Sequence, residues 1–439
     1  MAHHESSISF DILLIMTAPF SILVFNAGSS SLKFALFDGR TLKLIVRGVV
    51  SDIGGLSSLS WHYGITRASV SIPAKQHKEA AQWVLDWLQN LWPFGSLLDN
   101  VGLVVHRIVH GGSQFFKPMM LTHKSMLQLE QLSPLAPLHN PQALAVINAT
   151  QAMLTQKVPS FAVFDTAFFR NLPLHTGYAL PESLLKQHDI QRFGFHGLAH
   201  RYMIQRYCVL HTARSQQRRI ISFQLGNGCS VTAAKDGKPV DTSMGFTPLE
   251  GLMMATRAGD IDPGLLIYLL KNGHQLDALE DQLQHHSGLL GIAKSTANMQ
   301  QLLKMQDTDE NAKLAIDMFC YRARKYLGAY MAVLNGADAI IFGGGIGGHS
   351  AEIRQRICAN MAWCGLVLDD KRNRLASSAS NDMSNSTETL ISSEDSSVRV
   401  YVIPVNEELM MAEDARAEFL HIKAAGSQTK FAHNVSNTS

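Results

Sequence analysis

Two short turns rich in Asn, Gly and Ser are the parts of this sequence best suited to hold an anion. The first joins the apolar segments within residues 22–37 (ILVFNAGSSSLKFALF), and the second joins those within residues 220–234 (IISFQLGNGCSVTAA). Turns with so little side-chain bulk let backbone N–H groups and hydroxyls converge on a phosphate. One such turn is more often an ordinary hairpin, whereas two of them far apart indicate a duplicated fold with phosphate held between its halves.

Charged side chains follow three other apolar, strand-like segments. Arg107, Asp165 and Glu407 each stand where such a segment ends. In open α/β sheets, ligands bind at the carboxyl ends of the strands. Each residue also has an ordinary structural explanation: a surface ion pair for Arg107, a helix cap for Asp165, and a first-turn acid that favours the helix dipole for Glu407. Their agreement with two phosphate-type turns favours a common site.

Residues 241–264 (DTSMGFTPLEGLMMATRAGDIDPG) show neither a helical nor a strand period. A long irregular segment inside a compact domain is usually functional or disordered, and the apolar side chains of this one argue for burial. Arg257 lies within it and offers a permanently charged fork for a carboxylate or a phosphate.

The histidines His196 and His200 have the spacing of two zinc ligands on a helix. Gly194 and Gly197 argue against a helix at that point, and no Glu follows His196 directly. We therefore interpret His196 as a hydrogen-bond donor toward a phosphoryl group and not as a metal ligand.

The composition is that of a globular protein with two domains. A chain of 439 residues exceeds one core, and 46% hydrophobic with 17% charged residues is ordinary. A net charge of +2 gives no reason to expect nucleic acid or an anionic membrane as a partner. Five cysteines without a C-x-x-C pair fit a reducing cytosol. The apolar residues 10–16 lack a preceding basic segment, so we expect a cytoplasmic protein, with Met16 as an alternative start.

Strand-like and helical segments alternate in two similar halves, which is typical of an α/β protein. We expect a first domain over residues 20–166, completed by a C-terminal helix at 409–423, and a second domain over residues 167–408. Residues 1–19 and 424–439 are expected to be disordered tails.

An ordered set of motifs resembles the acetate kinase family, within the superfamily of acetate and sugar kinases, Hsp70 and actin. The motifs span about residues 22–420 and are NAGSSSLKF, HRIVHGG, LAPLHNP, AVFDTAF, GFHG, LGNGCS, DTSMGFTPLEGLMM, SGLLGI and IPVNEELM. The resemblance implies two duplicated ribonuclease H-like (actin-like ATPase) domains with the active-site cleft between them. It also implies reversible, Mg²⁺-dependent phosphoryl transfer from ATP to acetate by direct in-line attack, giving acetyl phosphate and ADP.

The resemblance also assigns roles to individual residues. The catalytic residues would be His196, Arg107, Arg257 and Asp165. The residues that contact the acyl substrate would be Arg107, Val109, Leu138, Phe195 and Pro248. The metal ion, Mg²⁺ with Mn²⁺ as a substitute, would be held directly or through water by Asn26, Asp165 and Glu407. The nucleotide would bind Asn26, Ser29, Ser31, Lys33, Gln224, Leu225, Gly226, Asn227, Gly228, Asn298, Met299, Gln300, Gly345, Ile346, Gly347 and His349. His139 would lie close to the same phosphate.

The sequence departs from the family pattern in four places. Gln224 and Phe169 stand where the family usually has histidine. Asn298 and Gln300 replace an acid and a base, and Gly348-His349 replace Glu-Asn. A glutamine can donate a neutral hydrogen bond but cannot become a cation. Because the acyl and magnesium residues are intact, we expect ordinary acyl selectivity with an altered phosphoryl donor preference or donor Michaelis constant.

Two alternatives stay open. One is propionate kinase activity, since a single methylene in an apolar pocket discriminates only about 10- to 200-fold. The other is a weakened paralogue that binds nucleotide or acyl phosphate as a regulator, an idea that Gln224 motivates and the intact catalytic residues oppose. The expected partners are acetate or propionate and ATP, without nucleic acid or membrane. A homodimer is implied by the resemblance alone.

Overall fold

The structure, a computed structural model, describes residues 20–90, 96–154, 158–211, 218–379 and 388–436. The chain divides into two compact units, one formed by the described residues of Met1–Ala167 and Glu407–Ser439, the other by those of Phe168–Asn406. The expected tail at residues 1–19 lies outside the described residues. Within the described ranges, no helix has the length and apolar character needed to cross a membrane.

The first unit is built on an eight-stranded sheet. Its strands are β1 (Ser21–Ala27), β2 (Leu32–Asp38), β3 (Leu44–Ser51), β4 (Ser58–Tyr63), β5 (Thr66–Ser71), β6 (Val101–Ile108), β7 (Met119–Met120) and β8 (Ser160–Phe164). Their order across the sheet is β5-β4-β3-β2-β1-β6-β8-β7. Strand β1 pairs antiparallel with β2 and parallel with β6, and β6 pairs parallel with β8. Three helices belong to the same part of the chain: α1 (His77–Asn90), α2 (His123–Gln131) and α3 (Asn140–Met153).

The central strand β1 is buried along its whole length. Leu23 and Phe25 join a hydrophobic core to which α1 and α3 contribute. The C-terminal helix, Glu407–Ser436, also packs on this sheet: the rings of Phe161 and Phe419 meet edge-on with centroids 6.3 Å apart. Burial on both faces explains why β1 reads as a continuous apolar run.

The second unit is built on a six-stranded sheet. Its strands are β9 (Arg219–Leu225), β10 (Cys229–Lys235), β11 (Lys238–Thr242), β12 (Ala339–Gly343), β13 (Thr389–Leu390) and β14 (Arg399–Val402). Their order is β11-β10-β9-β12-β14-β13. The helices are α4 (Glu182–Gln187), α5 (Gly197–Leu210), α6 (Pro263–Lys271), α7 (Leu276–His285), α8 (Gly288–Ala293), α9 (Met299–Met305), α10 (Glu310–Val333), α11 (Gly344–His349), α12 (Ala351–Cys358) and α13 (Asp370–Ala379). The C-terminal helix is α14.

Both sheets contain the same series of strands. The order β3-β2-β1-β6-β8 in the first unit corresponds to β11-β10-β9-β12-β14 in the second. Each series has three antiparallel strands followed by two strands parallel to the third. This repeat confirms the predicted α/β class with duplicated domains.

The C-terminal helix differs from the expectation at both ends. It begins at Glu407, two residues earlier than predicted, and continues to Ser436, so residues 424–436 are helical where the sequence predicts a tail. Once the first turns of a helix are formed, each added residue brings a hydrogen bond at little further cost. Residues 437–439 lie outside the described part.

Candidate active site

Three of the predicted site residues lie at one edge of the first sheet. Asn26 is the last residue but one of β1, Arg107 the last but one of β6, and Asp165 directly follows β8. Because these three strands run parallel, their carboxyl ends share an edge. The backbone N–H of Asp165 donates to the carbonyl of Ile108 at 3.1 Å. This hydrogen bond extends the pairing of β6 and β8 by one residue and fixes the backbone of Asp165.

Arg107 joins the other two side chains. Its Nη1 donates to Asn26 Oδ1 at 2.8 Å, its Nε donates to Asp165 Oδ1 at 3.1 Å, and its Nη2 forms an ion pair with Asp165 Oδ2. The side chain of Asp165 is 0% exposed and that of Arg107 12%. Burial alone would lower the pKa of Arg107, but the charges of Asp165, Glu407 and Glu408 raise it. The guanidinium is therefore held as a cation at this edge.

Two acidic side chains reach Asn26 from the first turn of α14. Asn26 Nδ2 donates to Glu407 Oε2 at 2.8 Å and to Glu408 Oε1 at 3.1 Å. Glu407 therefore fulfils both explanations considered for it, as a first-turn acid and as a member of the cluster. Glu408 was not predicted; the adjacent pair of acids after the last apolar strand was the available signal.

Oxygen atoms dominate this cluster, and amide and carboxylate oxygens are the ligands that Mg²⁺ prefers. Within the described residues, no three His, Cys, Asp or Glu side chains lie close enough together to hold a metal ion. Asp165 and Asn26 also accept hydrogen bonds from Arg107 through their side-chain oxygen atoms. The cluster therefore has the oxygen chemistry of a divalent-cation site only if most of the ligands come from outside the protein, such as phosphate and water.

The first phosphate-type turn stands beside this cluster. Its geometry is fixed by the Gly28 N–H, which donates to the Ser31 carbonyl at 2.8 Å. Lys33 pairs with Asn26 across the hairpin, so the two side chains lie on the same face of the sheet. Ser29 and Lys33 are exposed and Ser31 is half-buried, which leaves these groups accessible to an anion.

The apolar residues predicted to bind the acyl group are placed in both units. In the first unit, Val109 directly follows β6 and is 4% exposed, and Leu138 stands half-buried before α3. The loop after Val109 is held by Asn140, whose side chain exchanges hydrogen bonds of 3.1 and 3.0 Å with the backbone N–H and carbonyl of His110. In the second unit, Phe195 is buried and Pro248 is half-buried.

The second phosphate-type turn forms one backbone surface with the glycine segment after β12. The Gly226 N–H donates to the Gly228 carbonyl at 3.1 Å. Gly344 has φ +78°, and a Cβ on it would lie 2.5 Å from the carbonyl oxygen of Leu225, so only glycine fits there. Gly345 follows, with its N 4.0 Å from where a Cβ on Gly226 would stand. The structure thus brings together residues 225–228 and 345–347, two segments that the sequence assigns to the nucleotide.

His196 and Arg257 meet at the same turn. Their Nε2 and Nη1 atoms lie 3.1 and 3.9 Å from the position that a Cβ on Gly228 would take. Arg257 Nη1 also donates to the Pro248 carbonyl at 2.8 Å. His196 has φ +57°, a conformation that is rare for residues with a side chain and is concentrated at functional sites.

The argument that Gly194 and Gly197 exclude a helix at the two histidines is wrong for His200. Helix α5 begins at Gly197 with His196 as its N-cap, so Gly194 precedes the helix, Gly197 opens it, and neither interrupts it. His200 Nδ1 lies 2.7 Å from Ser222 Oγ and its Nε2 lies 2.8 Å from Ser230 Oγ. Both ring nitrogens are thus used by hydroxyls, which speaks against zinc binding.

Four of the other predicted nucleotide residues lie at the ends of helices α9 and α11, and Gln224 lies in strand β9. Asn298 is the N-cap of α9 and accepts a hydrogen bond from the Gln301 N–H at 3.1 Å, Met299 is 5% exposed, and Gln300 is exposed. His349 is the exposed last residue of α11. Gln224 has a buried Oε1 that accepts no hydrogen bond from the described residues.

Arg354 in α12 supports the glycine segment and was missed. Its fully buried guanidinium donates to the carbonyls of Gly347 and Gly348 at 2.7 and 2.8 Å, and to the Oδ1 and carbonyl oxygen of Asn373 at 2.8 and 2.7 Å. Burial lowers the pKa of Arg354 to about 10. Its position beside Ile353 and Ile357 on the apolar face of α12 was the available signal.

Replacing Arg354 with lysine is expected to raise about tenfold the KM for the nucleotide that the sequence predicts, while changing kcat little. A lysine cannot bridge two carbonyls and Asn373, so the glycine segment loses its support, and the free energy of unfolding should fall by about 3 kcal/mol. Steady-state kinetics and urea unfolding measure both effects. The control is Arg356→Lys, two residues on, whose partners Asp317 and Glu352 are exposed. Equal effects of the two substitutions would contradict the prediction.

Comparison with known proteins supports the same interpretation. The family model described as the acetokinase family matches residues 21–413. The acetate kinase of Chloroherpeton thalassium is 42% identical over 414 residues, covering 90% of this chain and 98% of that protein. The crystal structure of Porphyromonas gingivalis acetate kinase has a TM-score of 0.78 at 34% identity and covers 91% of this chain and 99% of that one. A propionate kinase from Francisella tularensis has a TM-score of 0.80 at 35% identity, with coverages of 90% and 98%.

Fold, site and relatives together define an enzyme of the acyl kinase class, built on the duplicated actin-like ATPase fold. The chain belongs to the acetokinase family. This confirms the resemblance and the enzyme class predicted from the sequence. As a kinase of this family it uses ATP, and a divalent metal ion generally accompanies ATP in phosphoryl transfer.

Proposed function

We propose that this enzyme catalyses reversible phosphoryl transfer from ATP to acetate. A carboxylate oxygen of acetate attacks the γ-phosphorus in line, the bond from that phosphorus to the bridging oxygen of ADP breaks, and acetyl phosphate and ADP are formed. The observation that carries the proposal is the cluster of Asn26, Arg107, Asp165 and Glu407, in a chain of the acetokinase family.

Each unit has its own task in this proposal. In the first unit, Arg107 binds the acetate carboxylate, and Val109 and Leu138 contact the methyl group, while the turn with Ser29, Ser31 and Lys33 binds phosphate. In the second unit, His196 and Arg257 stabilise the phosphoryl group in flight, Phe195 and Pro248 contact the acyl group, and the backbone of residues 225–228 and 345–347 receives the nucleotide. His139, at the N-cap of α3, would contact the transferring phosphate.

Charge is the main obstacle to this reaction, because acetate and the γ-phosphate are both anions and a carboxylate is a weak nucleophile. Catalysis therefore consists of alignment and charge cancellation, and covalent intermediates on the protein are not needed. A buried cation such as Arg107 acts strongly because it is already oriented and little water screens it.

Mg²⁺ is the divalent ion that best fits the first unit, with Mn²⁺ as a substitute. Asp165 and Glu407 would hold it, directly or through water, with Asn26 beside them. When bound it would neutralise charge on the transferring phosphate. ATP as donor and a cytoplasmic location complete the proposal.

A hydroxamate assay for acyl phosphate tests the proposal directly. With ATP and Mg²⁺, acetate is expected to give the highest kcat/KM, followed by propionate and then butyrate. Highest activity with propionate would instead support propionate kinase, the alternative favoured by the structural likeness to the Francisella tularensis enzyme. No product with any acid would refute the catalytic proposal and favour a binding protein.

We further predict an altered phosphoryl donor preference. The double substitution Asn298→Asp/Gln300→Arg restores the acid and base usual in the family and keeps a capping side chain on α9. It is expected to lower the KM for ATP several-fold, since a paired acid and base give the nucleotide new charged partners, while the KM for acetate stays constant. Kinetics with ATP, GTP and pyrophosphate measure this. The prediction fails if the two proteins share one donor ranking and one KM for ATP.

We also propose a homodimer that uses helix α6. No side chain of α6 is buried, and Leu265, Ile267, Tyr268 and Leu270 are 46, 55, 63 and 40% exposed. So many exposed apolar side chains on one short helix indicate an interaction surface.

The proposed dimer predicts the mass of the protein in solution. Sedimentation of the wild-type protein should show twice the chain mass of 48.3 kDa, and Ile267→Glu/Tyr268→Glu should show a single chain. The control is Leu174→Glu, at a lone residue 99% exposed, which should stay dimeric. A wild-type monomer, or a dimer that survives the double substitution, contradicts the use of α6.

A further inference from the structure

His196, the proposed donor to the phosphoryl group, stands at the end of a chain of buried hydrogen bonds. Its Nδ1 lies 2.9 Å from Ser230 Oγ, which lies 2.8 Å from His200 Nε2. The Nδ1 of His200 lies 2.7 Å from Ser222 Oγ. Ser222, Ser230 and His200 are all 0% exposed. This chain of hydrogen bonds therefore extends from the second phosphate-type turn into the core of the second unit.

The register of the β9–β10 hairpin explains this placement. Ser222 stands opposite Thr232, and Ser230 stands opposite Gln224. Paired residues in an antiparallel hairpin point to the same face, and so do residues two apart in one strand. Helix α5 places His200 against that face, between the two serines.

His200 is neutral in this environment. Burial lowers its pKa well below the usual value. Phe169 packs edge-on against the ring, with centroids 6.2 Å apart. A neutral imidazole has one N–H, so one of its two ring nitrogens donates and the other accepts.

Counting protons shows which atom donates in each of these hydrogen bonds. If His200 donated to Ser222, the hydroxyl proton of Ser222 would be left in the core, where the described residues provide it with no other hydrogen bond. In the opposite direction every proton has an acceptor: Ser222 donates to His200 Nδ1, His200 Nε2–H donates to Ser230, and Ser230 donates to His196 Nδ1. Buried polar groups are nearly always satisfied, which favours this second arrangement.

We propose that Ser230, oriented by His200 and Ser222, is the positioning residue that holds His196 as a neutral donor with its proton on Nε2. The inference rests on the proposed role of His196. Since Nε2 is the ring atom beside Gly228, the N–H faces the turn that receives the phosphates. A donor that already has the correct tautomer needs no reorganisation in the transition state.

The side chains of the second unit around the same turn favour a neutral His196. The Arg257 cation disfavours a second positive charge beside it. Burial raises the pKa of Cys229 to about 12, so its thiol stays uncharged. Gln224, on the same face of the hairpin, carries no charge either.

Ser230→Ala is expected to lower kcat about tenfold, the effect of one lost hydrogen bond that matters in the transition state, with both KM values nearly unchanged. The matched control is Thr232→Val, which removes another buried hydroxyl from the same strand, one that bonds Thr242 at 3.1 Å, and should leave kcat unchanged. His200→Gln keeps an N–H for Ser230 and should retain most of the activity, whereas His200→Leu should behave like Ser230→Ala.

NMR of ¹⁵N-histidine-labelled enzyme gives a readout that a purely structural role would not change. The His196 signal, assigned by its loss in His196→Ala, should show the Nε2–H tautomer in the wild type and a tautomer mixture in Ser230→Ala. In the His196→Ala background, Ser230→Ala should cause no further loss of kcat. If Ser230→Ala does not fold, the comparison of His200→Gln with His200→Leu decides in its place.

The possible failures are distinguishable. A wild-type Nδ1–H tautomer, or full activity of Ser230→Ala or His200→Leu while His196→Ala is inactive, would overturn the positioning role and leave the proposed function intact. An unchanged kcat in His196→Ala would instead refute the role of His196, and with it both proposals for this residue.

Discussion

Asp165→Asn is expected to lower kcat about a thousandfold and to destabilise the enzyme. Asn keeps the shape of the side chain but removes the charge that pairs with Arg107 and that would hold the metal ion. The loss of one preorganised electrostatic group in a closed site costs about 100- to 1000-fold, and here one substitution affects two such groups. Because Asp165 is fully buried, breaking its pair also leaves the Arg107 cation poorly compensated, which costs about 3–5 kcal/mol of stability.

Kinetics and urea unfolding measured side by side test this prediction. The matched control is Asp338→Asn, at an aspartate that also accepts two hydrogen bonds from the guanidinium of one arginine, Arg219, and a third from its backbone N–H, but lies 37% exposed. A solvent-exposed pair contributes less than about 1 kcal/mol, so the control should be nearly as stable and as active as the wild type. Similar values of kcat for the two variants would show that Asp165 has only a structural role.

The cluster around Arg107 was predictable from the sequence because its members follow a simple rule. Asn26, Arg107 and Asp165 each end a buried apolar run, and the carboxyl ends of parallel strands share an edge. The repeat of the strand order was likewise predictable, since two similar hairpins open the two halves. The same reasoning could not predict that Asn26 donates to Glu408, because that contact depends on how α14 begins.

The hydrogen-bond chain behind His196 could not be found in the same way. A serine within a strand carries no pattern of its own, and its partner His200 comes from a helix that the neighbouring glycines concealed. Only the pairing of Ser230 with Gln224 places the relevant side chains on one face. Tertiary register, and not local propensity, decides this part of the site.

That register also changes the interpretation of two departures from the family pattern. Gln224, which the sequence predicts to bind the nucleotide, has its side chain on the face of Ser230, and Phe169 packs on His200. Neither a glutamine nor a phenylalanine side chain can take up a proton, so these two positions add no positive charge around His196. The donor prediction therefore depends most on Asn298, Gln300 and His349.

Backbone contacts hold the segment around Arg257, whose apolar residues the sequence predicts to be buried. The Met254 N–H donates to the Arg257 carbonyl at 3.1 Å, and the Ala255 N–H donates to the Asn227 carbonyl at 3.0 Å. Gly288, with φ +61°, passes so close that a Cβ would lie 2.3 Å from the Met254 carbonyl oxygen. Backbone contacts therefore fix the position of Arg257 relative to the second phosphate-type turn.

Arg257→Lys is expected to lower kcat about a hundredfold, although the charge is retained. Lysine cannot reproduce the planar fork that donates to the Pro248 carbonyl and still faces an anion. Burial lowers the pKa of Arg257, so its charge is costly in the free enzyme and gains most when negative charge develops beside it. The loss should therefore fall on kcat more than on the KM for ATP.

The control for Arg257 is Arg322→Lys, at an arginine that donates to the carbonyls of Ala258 and Asp260 and so supports the same segment from α10. It should lower stability slightly and leave kcat within about twofold, because surface-side hydrogen bonds contribute little to a preorganised charge. If both variants lose activity to the same extent, the effect arises from movement of the segment. If only Arg257→Lys loses it, and unfolds at the wild-type urea concentration, the guanidinium itself stabilises the transferring phosphoryl group.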